Sequence, residues 1–224
     1  RDPNWKPAAY QKEQDPIRGV FAYVADGLLQ PGEEAPAHQP QLLPGQVKLK
    51  NINGDDKLNE EDMVLIGRND PKFIFGFNNN FSYKNFDLNI YMYGQVGKIA
   101  GANSYYDAWG SYGNRIKLGQ NVPVSFKDAW SSDNQTSTRP SFIESAYGTG
   151  DLFLQKISFL RIRNITLGYT VPISKSICNR LRVYADVNNP CVWTNWKGQD
   201  PETDSNTNAY PNVTSFSIGV DISF

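Results

Sequence analysis

The stretch Asn51-Ile52-Asn53-Gly54-Asp55-Asp56-Lys57-Leu58-Asn59-Glu60-Glu61-Asp62 places oxygen-bearing side chains at positions 1, 3, 5, 9 and 12 of a loop. With the Lys57 carbonyl at position 7, this is the spacing by which an EF-hand loop surrounds calcium. Asn51 departs from it by bringing no charge to position 1, and Asp56 departs by standing where the sharp turn favours glycine. The loop therefore reads in two ways. It is a calcium site made by Asn51, Asn53, Asp55, Lys57, Asn59 and Asp62, or it is a run of Asx turns that keeps the shape without an ion.

A second cluster, Tyr105, Tyr106, Trp109 and Tyr112, lies in a long segment rich in Gly, Ser and Asn. Aromatic faces of this kind stack on sugar rings or pack against peptide side chains; the plainer reading is that they pack the segment onto itself. Arg161, Arg163, Arg182, Asp186 and Asp87 alternate with apolar residues, which expects them on one polar face, paired across strands. Enzyme chemistry finds no footing. The only histidine, His38, sits in a Pro-rich loop without triad partners, and neither a Walker loop nor GxGxxG occurs. A formal net charge of -1 leaves no nucleic-acid footprint. Cys178 and Cys191 make no disulfide framework. They are expected to stay unpaired, because a strand between them would set them about 40 Å apart.

The elements that must position these residues are strands. The 224 residues include 12 Tyr, 12 Phe and 5 Trp, with abundant Gly, a mixture that favours strands joined by polar loops. No run of 18 apolar residues offers a transmembrane helix. Alternating strands keep average hydropathy low, and the value of -0.53 is compatible with a barrel.

The terminal segment Ser215–Phe224 has Phe216, Ile218, Val220, Ile222 and Phe224 at every second position, with Ser, Gly and Asp between them. One face is wholly apolar and the other small and polar. The same pattern recurs in Phe73–Tyr83. It returns after a tight turn at Lys84–Asn85, where Phe86, Leu88, Ile90 and Met92 oppose Asp87, Asn89, Tyr91 and Tyr93. It shifts phase inside Ser158–Val171, predicting a β-bulge near Arg163–Asn164. Leu181–Trp193 alternates again, and Trp193 and Trp196 read as interfacial girdle aromatics. The fold class is all-β, with six antiparallel strands at about 17–24, 72–83, 86–97, 158–171, 181–193 and 213–224. Long loops fall at about 25–71, 98–157 and 194–212, and short helices are expected near 105–109 and 126–130. Long and short connections alternate as external loops and periplasmic turns do in outer-membrane barrels. Six strands cannot close usefully and would leave two open edges in lipid, so the chain is expected to be part of a larger barrel. Arg1 opens without Met or a leader, which expects a start after processing or within a longer protein.

Several stretches carry a resemblance. They are PIRGVFAYVADGLLQ (16–30), PGQVKLKNINGDDKLNEEDMVLIG (44–67), DPKFIFGFNNNFSYKNFDLNIYMYGQVGKI (70–99), FLRIRNITLGYTVP (159–172), LRVYADVNNPCVWTNWKGQDPE (181–202) and the terminal strand. In order and spacing the chain resembles the C-terminal part of the SusC/RagA-type TonB-dependent outer-membrane transporters of Gram-negative bacteria. The resemblance implies a 22-stranded barrel, the size of plugged outer-membrane transporters, with these as its last transmembrane strands. It also implies an N-terminal plug, TonB and a SusD-like surface lipoprotein as partners, outer-membrane lipid around the wall, and an oligosaccharide or peptide as cargo. Members of that family often carry DxNGDGxIxxxD where this chain has Asn51 to Asp62. Tyr105, Tyr106, Trp109 and Tyr112 would then be substrate or lid contacts, and the terminal Phe224, with Ile222 and Val220, the assembly signal. The rival reading is a secreted β-sandwich that binds carbohydrate, in which the apolar faces would pack on each other.

Overall fold

The structure, a computed structural model, describes residues 8, 11–12, 14–101, 118–119, 121, 124–142, 146–173, 178–198, 200–203 and 209–224. It contains two compact units. One is built on Arg1–Asp70 and Ile99–Gln155; the other on Pro71–Lys98, Lys156–Thr203 and Asn208–Phe224. Among the described residues no helix is long and apolar enough to cross a membrane.

The second unit is an antiparallel sheet of five strands in chain order: β5 (Phe73–Tyr83), β6 (Phe86–Gly101), β7 (Leu154–Val171), β8 (Arg180–Thr194) and β9 (Ser215–Ser223). β5 and β6 pair without interruption from Phe73 opposite Val96 to Tyr83 opposite Phe86. Their two-residue turn puts Lys84 at a positive φ of 53°, the conformation that keeps a hairpin twisted the right way. Between β7 and β8 the ladder slips at the expected place. Ile162 pairs with Cys191 and Asn164 with Asn188, so β8 takes three steps where β7 takes two. Asn189 absorbs the extra step at φ 49°. β9 then pairs with β8 from Asn188 opposite Ser215 to Arg180 opposite Ser223.

The first unit departs from the six-strand expectation. β1 is only Gly19–Ala22 and belongs to a separate two-stranded sheet with β4 (Val64–Arg68). Its run has no sustained alternation, and a bulge falls between Val20 and Phe21. The segment read as a loop over 25–71 also contains β2 (Ala25–Leu28) and β3 (Val47–Leu49), which pair with each other. Leu28, Val47, Leu49 and Trp130 form a buried core, with Tyr23, Leu58, Tyr147 and Leu152 packed against it. Trp130 comes from the other segment read as a loop, so the two make one folded body. Three contacts stitch them: Asp151 N–H donates to Tyr23 O at 2.9 Å, Ala25 N–H to Asp151 Oδ1 at 2.8 Å, and Ser141 N–H to Gly45 O at 2.8 Å. Gly45 sits at φ 82°, and a β-carbon there would lie inside the Trp130 indole, so only glycine fits. A 3₁₀ turn at Val124–Asp128 stands close to the helix expected over 126–130. The helix expected near Tyr105–Trp109 lies outside the described residues.

β3 has a second neighbour that is not a strand. The fully buried Gln39 accepts from Leu49 N–H at 2.7 Å and its amide lies 3.5 Å from Val47 O. His38, on the same edge, places Nε2 2.8 Å from Leu49 O. A primary amide carries the donor and acceptor of a peptide group, so it closes the ladder as another strand would.

Candidate functional site

The loop from Asn51 to Asp62 is closed by its own hydrogen bonds. Asn51 Oδ1 accepts from Gly54 N–H at 2.6 Å, Asn53 Oδ1 from Asp55 N–H at 3.0 Å, and Asp55 Oδ1 from Lys57 N–H at 3.0 Å. Gly54 takes the left-handed turn at φ 78°, so Asp56 is spared it. Asn59 caps the 3₁₀ turn Glu60–Asp62, and its own N–H donates to Asp62 Oδ2 at 3.0 Å. Asp62, fully buried, also accepts from Ile52 N–H at 2.7 Å and Asn53 N–H at 3.4 Å. Burial pushes its carboxyl up, but the backbone donors from Asn59, Ile52 and Asn53 outweigh that and hold it below the usual carboxylate range. Asn51, Asn53, Asp55, Asn59 and Asp62 thus each hold at least one backbone N–H of the loop. Among the described residues no group of three or more His, Cys, Asp or Glu stands where it could hold a metal.

The polar face of the sheet gathers the predicted charges into three clusters. Arg182 on β8 reaches Asp87 on β6 with Nη2 at 2.6 Å from Oδ2 and Nε at 3.0 Å from Oδ1. Its Nη1 meets Asp221 of β9 at 3.0 Å. The bridge to Asp87 passes over β7 at Gly168, where a β-carbon would collide with both partners. One forked guanidinium therefore ties three strands, β6, β8 and β9, across the intervening β7, a geometry lysine cannot supply. Next along the sheet, Asp186 accepts from Asn188 Nδ2 at 2.7 Å and lies 2.7 Å from Thr166 Oγ1, with Asn164 Nδ2 donating as well.

The third cluster is the most buried. Arg161 and Asp200 are each 3% exposed and meet at 2.8 Å. Arg161 Nε also donates to Glu202 Oε1 at 3.0 Å, and Arg163 Nη2 to Glu202 Oε2 at 2.7 Å. Asp200 accepts Glu202 N–H at 2.9 Å, Asn212 N–H at 2.9 Å and Asn212 Nδ2 at 3.2 Å. Burial pushes the Asp200 carboxyl up, but the Glu202 and Asn212 backbone donors with the Arg161 charge hold it low. Arg161 and Arg163 thus make their ion pairs with the loop after β8 and not with carboxylates on neighbouring strands. Asp200, Glu202 and Asn212 were not among the residues singled out in the sequence. The available signal was only that two arginines share one face and an acidic DPE run follows β8.

The remaining candidates are quickly placed. Tyr105, Tyr106, Trp109 and Tyr112 lie outside the described residues. Phe224, Ile222 and Val220 stand on the bare face at the end of the chain, all exposed. Trp193 is exposed at the end of β8, whereas Trp196 is buried, so Trp196 is no girdle aromatic. Its neighbour Gly198 leaves the space the indole fills. Cys178 and Cys191 are both free thiols.

No protein-family model matches this chain. It is 27% identical over 236 aligned positions to TonB-dependent receptor P3 of Formosa agariphila, covering 95% of this chain and 23% of that protein. It is 27% identical over 180 positions to TonB-dependent receptor SusC of Bacteroides thetaiotaomicron, covering 77% of this chain and 17% of SusC. Among solved structures, the RagAB peptide transporter superposes with a TM-score of 0.70 at 22% identity, over 92% of this chain and 23% of that one. The RagAB peptide importer in its closed-closed state gives 0.68 at 22% identity, over 92% and 23%. The chain thus spans about a quarter or less of the proteins it resembles, all of them named as receptors or transporters. The resemblance to SusC- and RagA-type TonB-dependent receptors extends over most of its length, and the antiparallel all-β fold is shared with the RagAB chains.

Proposed function

We propose that this chain is barrel wall and external loop from a TonB-dependent importer of the SusC and RagA type in a Gram-negative outer membrane. The rest of the transporter supplies the plug, the TonB contact and the strands that cover both open edges. A SusD-like lipoprotein covers the external side. The cargo is an oligosaccharide or a peptide, and peptide is the class to test first, since the solved neighbours are described as peptide importers. Phe224, Ile222 and Val220 serve as the terminal assembly signal.

The observation that carries this reading is the inverted solvation of the sheet. Phe73, Phe77, Phe81, Tyr83, Phe86, Leu167, Val183, Phe216, Ile218, Val220 and Ile222 are exposed. The opposite face carries the charge clusters and an amide ladder in which Asn89 Nδ2 donates to Asn78 and Asn80 at 2.7 and 2.6 Å. Aromatics bound the bare band, with Phe73, Trp193 and Phe216 towards one end and Tyr83, Phe86 and Tyr169 at the other, where the last two rings meet tilted with centroids 4.7 Å apart. Ten residue steps from Phe73 to Tyr83, at about 3.3 Å each and tilted by about 40°, rise about 25 Å, the height of an outer-membrane apolar band. In a sandwich these side chains would pack against a second sheet. Here they meet none among the described residues.

The test scans single cysteines through 215–218 and 220–223 of the full-length parent transporter, in a Cys178→Ser, Cys191→Ser background. A membrane-restricted reagent should label even positions and a water-soluble one odd positions. Labelling without a two-residue period would overturn the wall assignment.

A further inference from the structure

The terminal strand poses a problem that its own pattern does not solve. Phe216, Ile218, Val220, Ile222 and Phe224 repeat every two residues, so a slip of β9 along β8 by two keeps every apolar side chain on the bare face. A hydrophobic period of two fixes which face is which and leaves that slip nearly free. Something else must hold Val220 opposite Val183.

We infer that the cluster around Asp200 is a register lock for the terminal strand, anchoring the entry to β9 onto the bulge shared by β7 and β8. Asp200 Oδ2 holds both the N–H and the side-chain amide of Asn212, three residues before β9 begins. Asn212 Nδ2 also donates to Glu202 Oε2 at 2.9 Å, and Asn212 Oδ1 accepts from Arg163 Nη1 at 3.4 Å. Asn189, the bulge residue, donates from Nδ2 to Val213 O at 3.2 Å and accepts at its carbonyl from Thr214 Oγ1 at 2.9 Å. Three consecutive residues, 212 to 214, are therefore gripped one by one immediately before the ladder starts. A slip of two residues moves each about 6.6 Å, beyond any hydrogen bond it makes. It also leaves the buried Asp200 without both of its Asn212 donors.

Mid-strand features read the same register more weakly. Asp221 pairs with Arg182, but its carboxylate is half open to solvent. Tyr184 lies over Gly219, where any β-carbon would enter the ring. The lock itself lies outside the band of alternating residues, in loop and bulge positions that a slip cannot imitate. This inference concerns the ladder between β8 and β9 and does not depend on which cargo, or whether any cargo, is carried.

Disulfide trapping in the full-length protein, with Cys178→Ser and Cys191→Ser, tests it. Directly opposite residues lie about 4.5–5.5 Å apart and diagonal neighbours about 7–8 Å, at the limit for a disulfide. In the parent, Val183→Cys should bond with Val220→Cys and not with Ile218→Cys or Ile222→Cys. In Asp200→Ala, one of the slipped pairs should rise at least ~10-fold over the parent, since only the native register loses two hydrogen bonds to a buried carboxylate, more than one tenfold step in an equilibrium. If Asp200→Ala is not recovered, Asn212→Ala decides, with the same slipped pair rising by less. Slipped pairs staying at background in the recovered variant would overturn the lock. So would slippage in Asp221→Asn with none in Asp200→Ala, because the register would then reside in the mid-strand ion pair. A parent lacking the 183–220 disulfide would overturn the pairing itself, whatever the protein transports.

Discussion

The two units of this chain are solvated in opposite senses. In one, Leu28, Val47, Leu49 and Trp130 lie inside, while Asp55, Glu60 and Glu61 face out. In the other, Arg161 and Asp200 are 3% exposed while Phe216 and Ile218 are 76% and 84% exposed. The residue types are the same; the surroundings each was built for are not. A water-facing body hides its apolar atoms, and a wall between lipid and a polar lumen hides its charges and shows its hydrocarbon. The units nevertheless share one device: a buried aspartate, Asp62 or Asp200, saturated by backbone N–H groups and closing a loop. Only Asp200 adds an arginine.

The largest effect that could break this contrast is in the cored unit. Leu49→Ala removes a side chain 2% exposed at the centre of the cluster and should cost about 2–5 kcal/mol, the range for buried Leu truncation. Ile218→Ala, on the bare face, leaves no cavity and should cost much less. Hydrogen exchange of full-length protein in detergent, read over 47–49 and over β9, measures both. Equal losses would mean that Ile218 is packed and that the face is not bare.

Next in size is the face test. Val220→Arg sets a charge near mid-strand in the apolar band and should cost about 2–4 kcal/mol. The sequence pattern alone offers Gly219 and Asp221 as inner-face controls, but the structure retires both. Tyr184 occupies the space beside Gly219, and Asp221 is already paired with Arg182. Ser217, opposite Asp186, is the sounder control, because an arginine there meets a carboxylate. Heat-modifiable, inserted protein should fall for Val220→Arg and hold for Ser217→Arg; equal tolerance would defeat the outward assignment of Val220.

What was legible in the sequence follows from strand length. β5 to β9 run for 9 to 18 residues, long enough for a period of two to declare itself, and the phase change in β7 located the slip beside Asn164. β1 to β4 have 3 to 5 residues each, too few for alternation to stand out from loop composition. One edge of β3 is not even closed by a strand, but by the Gln39 side chain. Charges on the polar face were readable as a class, because parity assigns a face. The partners of Arg161 and Arg163 were not, because Asp200 and Glu202 come from a loop whose path no period encodes. Trp196 misled for a related reason. Two residues past the strand, its burial is set by the loop and Gly198.

A smaller effect distinguishes the two readings of the Asn51–Asp62 loop. Asp62→Ala strips acceptors from three backbone donors and should cost about 1–3 kcal/mol, seen as faster exchange over 52–59. Loop exchange in the parent should not respond to a calcium chelator if hydrogen bonds hold the shape. Loosening by chelator to the level of Asp62→Ala would instead put an ion at the centre of the loop.

The smallest effect, nil at neutral pH, is the acid response of the two buried aspartates, and it separates the units most cleanly. Both carboxyls are held below their ordinary value when folded, so the unfolded chain binds more protons over the intervening range. The stabilisation each contributes is therefore complete above the unfolded value, near pH ~4, and is lost as pH falls through the lower folded value. Asp200 also helps neutralise Arg161 in a buried site, so its protonation leaves that cation with Glu202 alone, whereas protonated Asp62 leaves only backbone donors short of an acceptor. Exchange over the loop base at 200–202 and 212 should accordingly rise more steeply with acid than exchange over 52–59. Asp200→Asn should abolish the first response and leave the second, and Asp62→Asn should do the reverse. A single transition common to both regions and indifferent to either substitution would mean that acid opens the molecule as a whole, and that neither aspartate is the local fastening assigned to it.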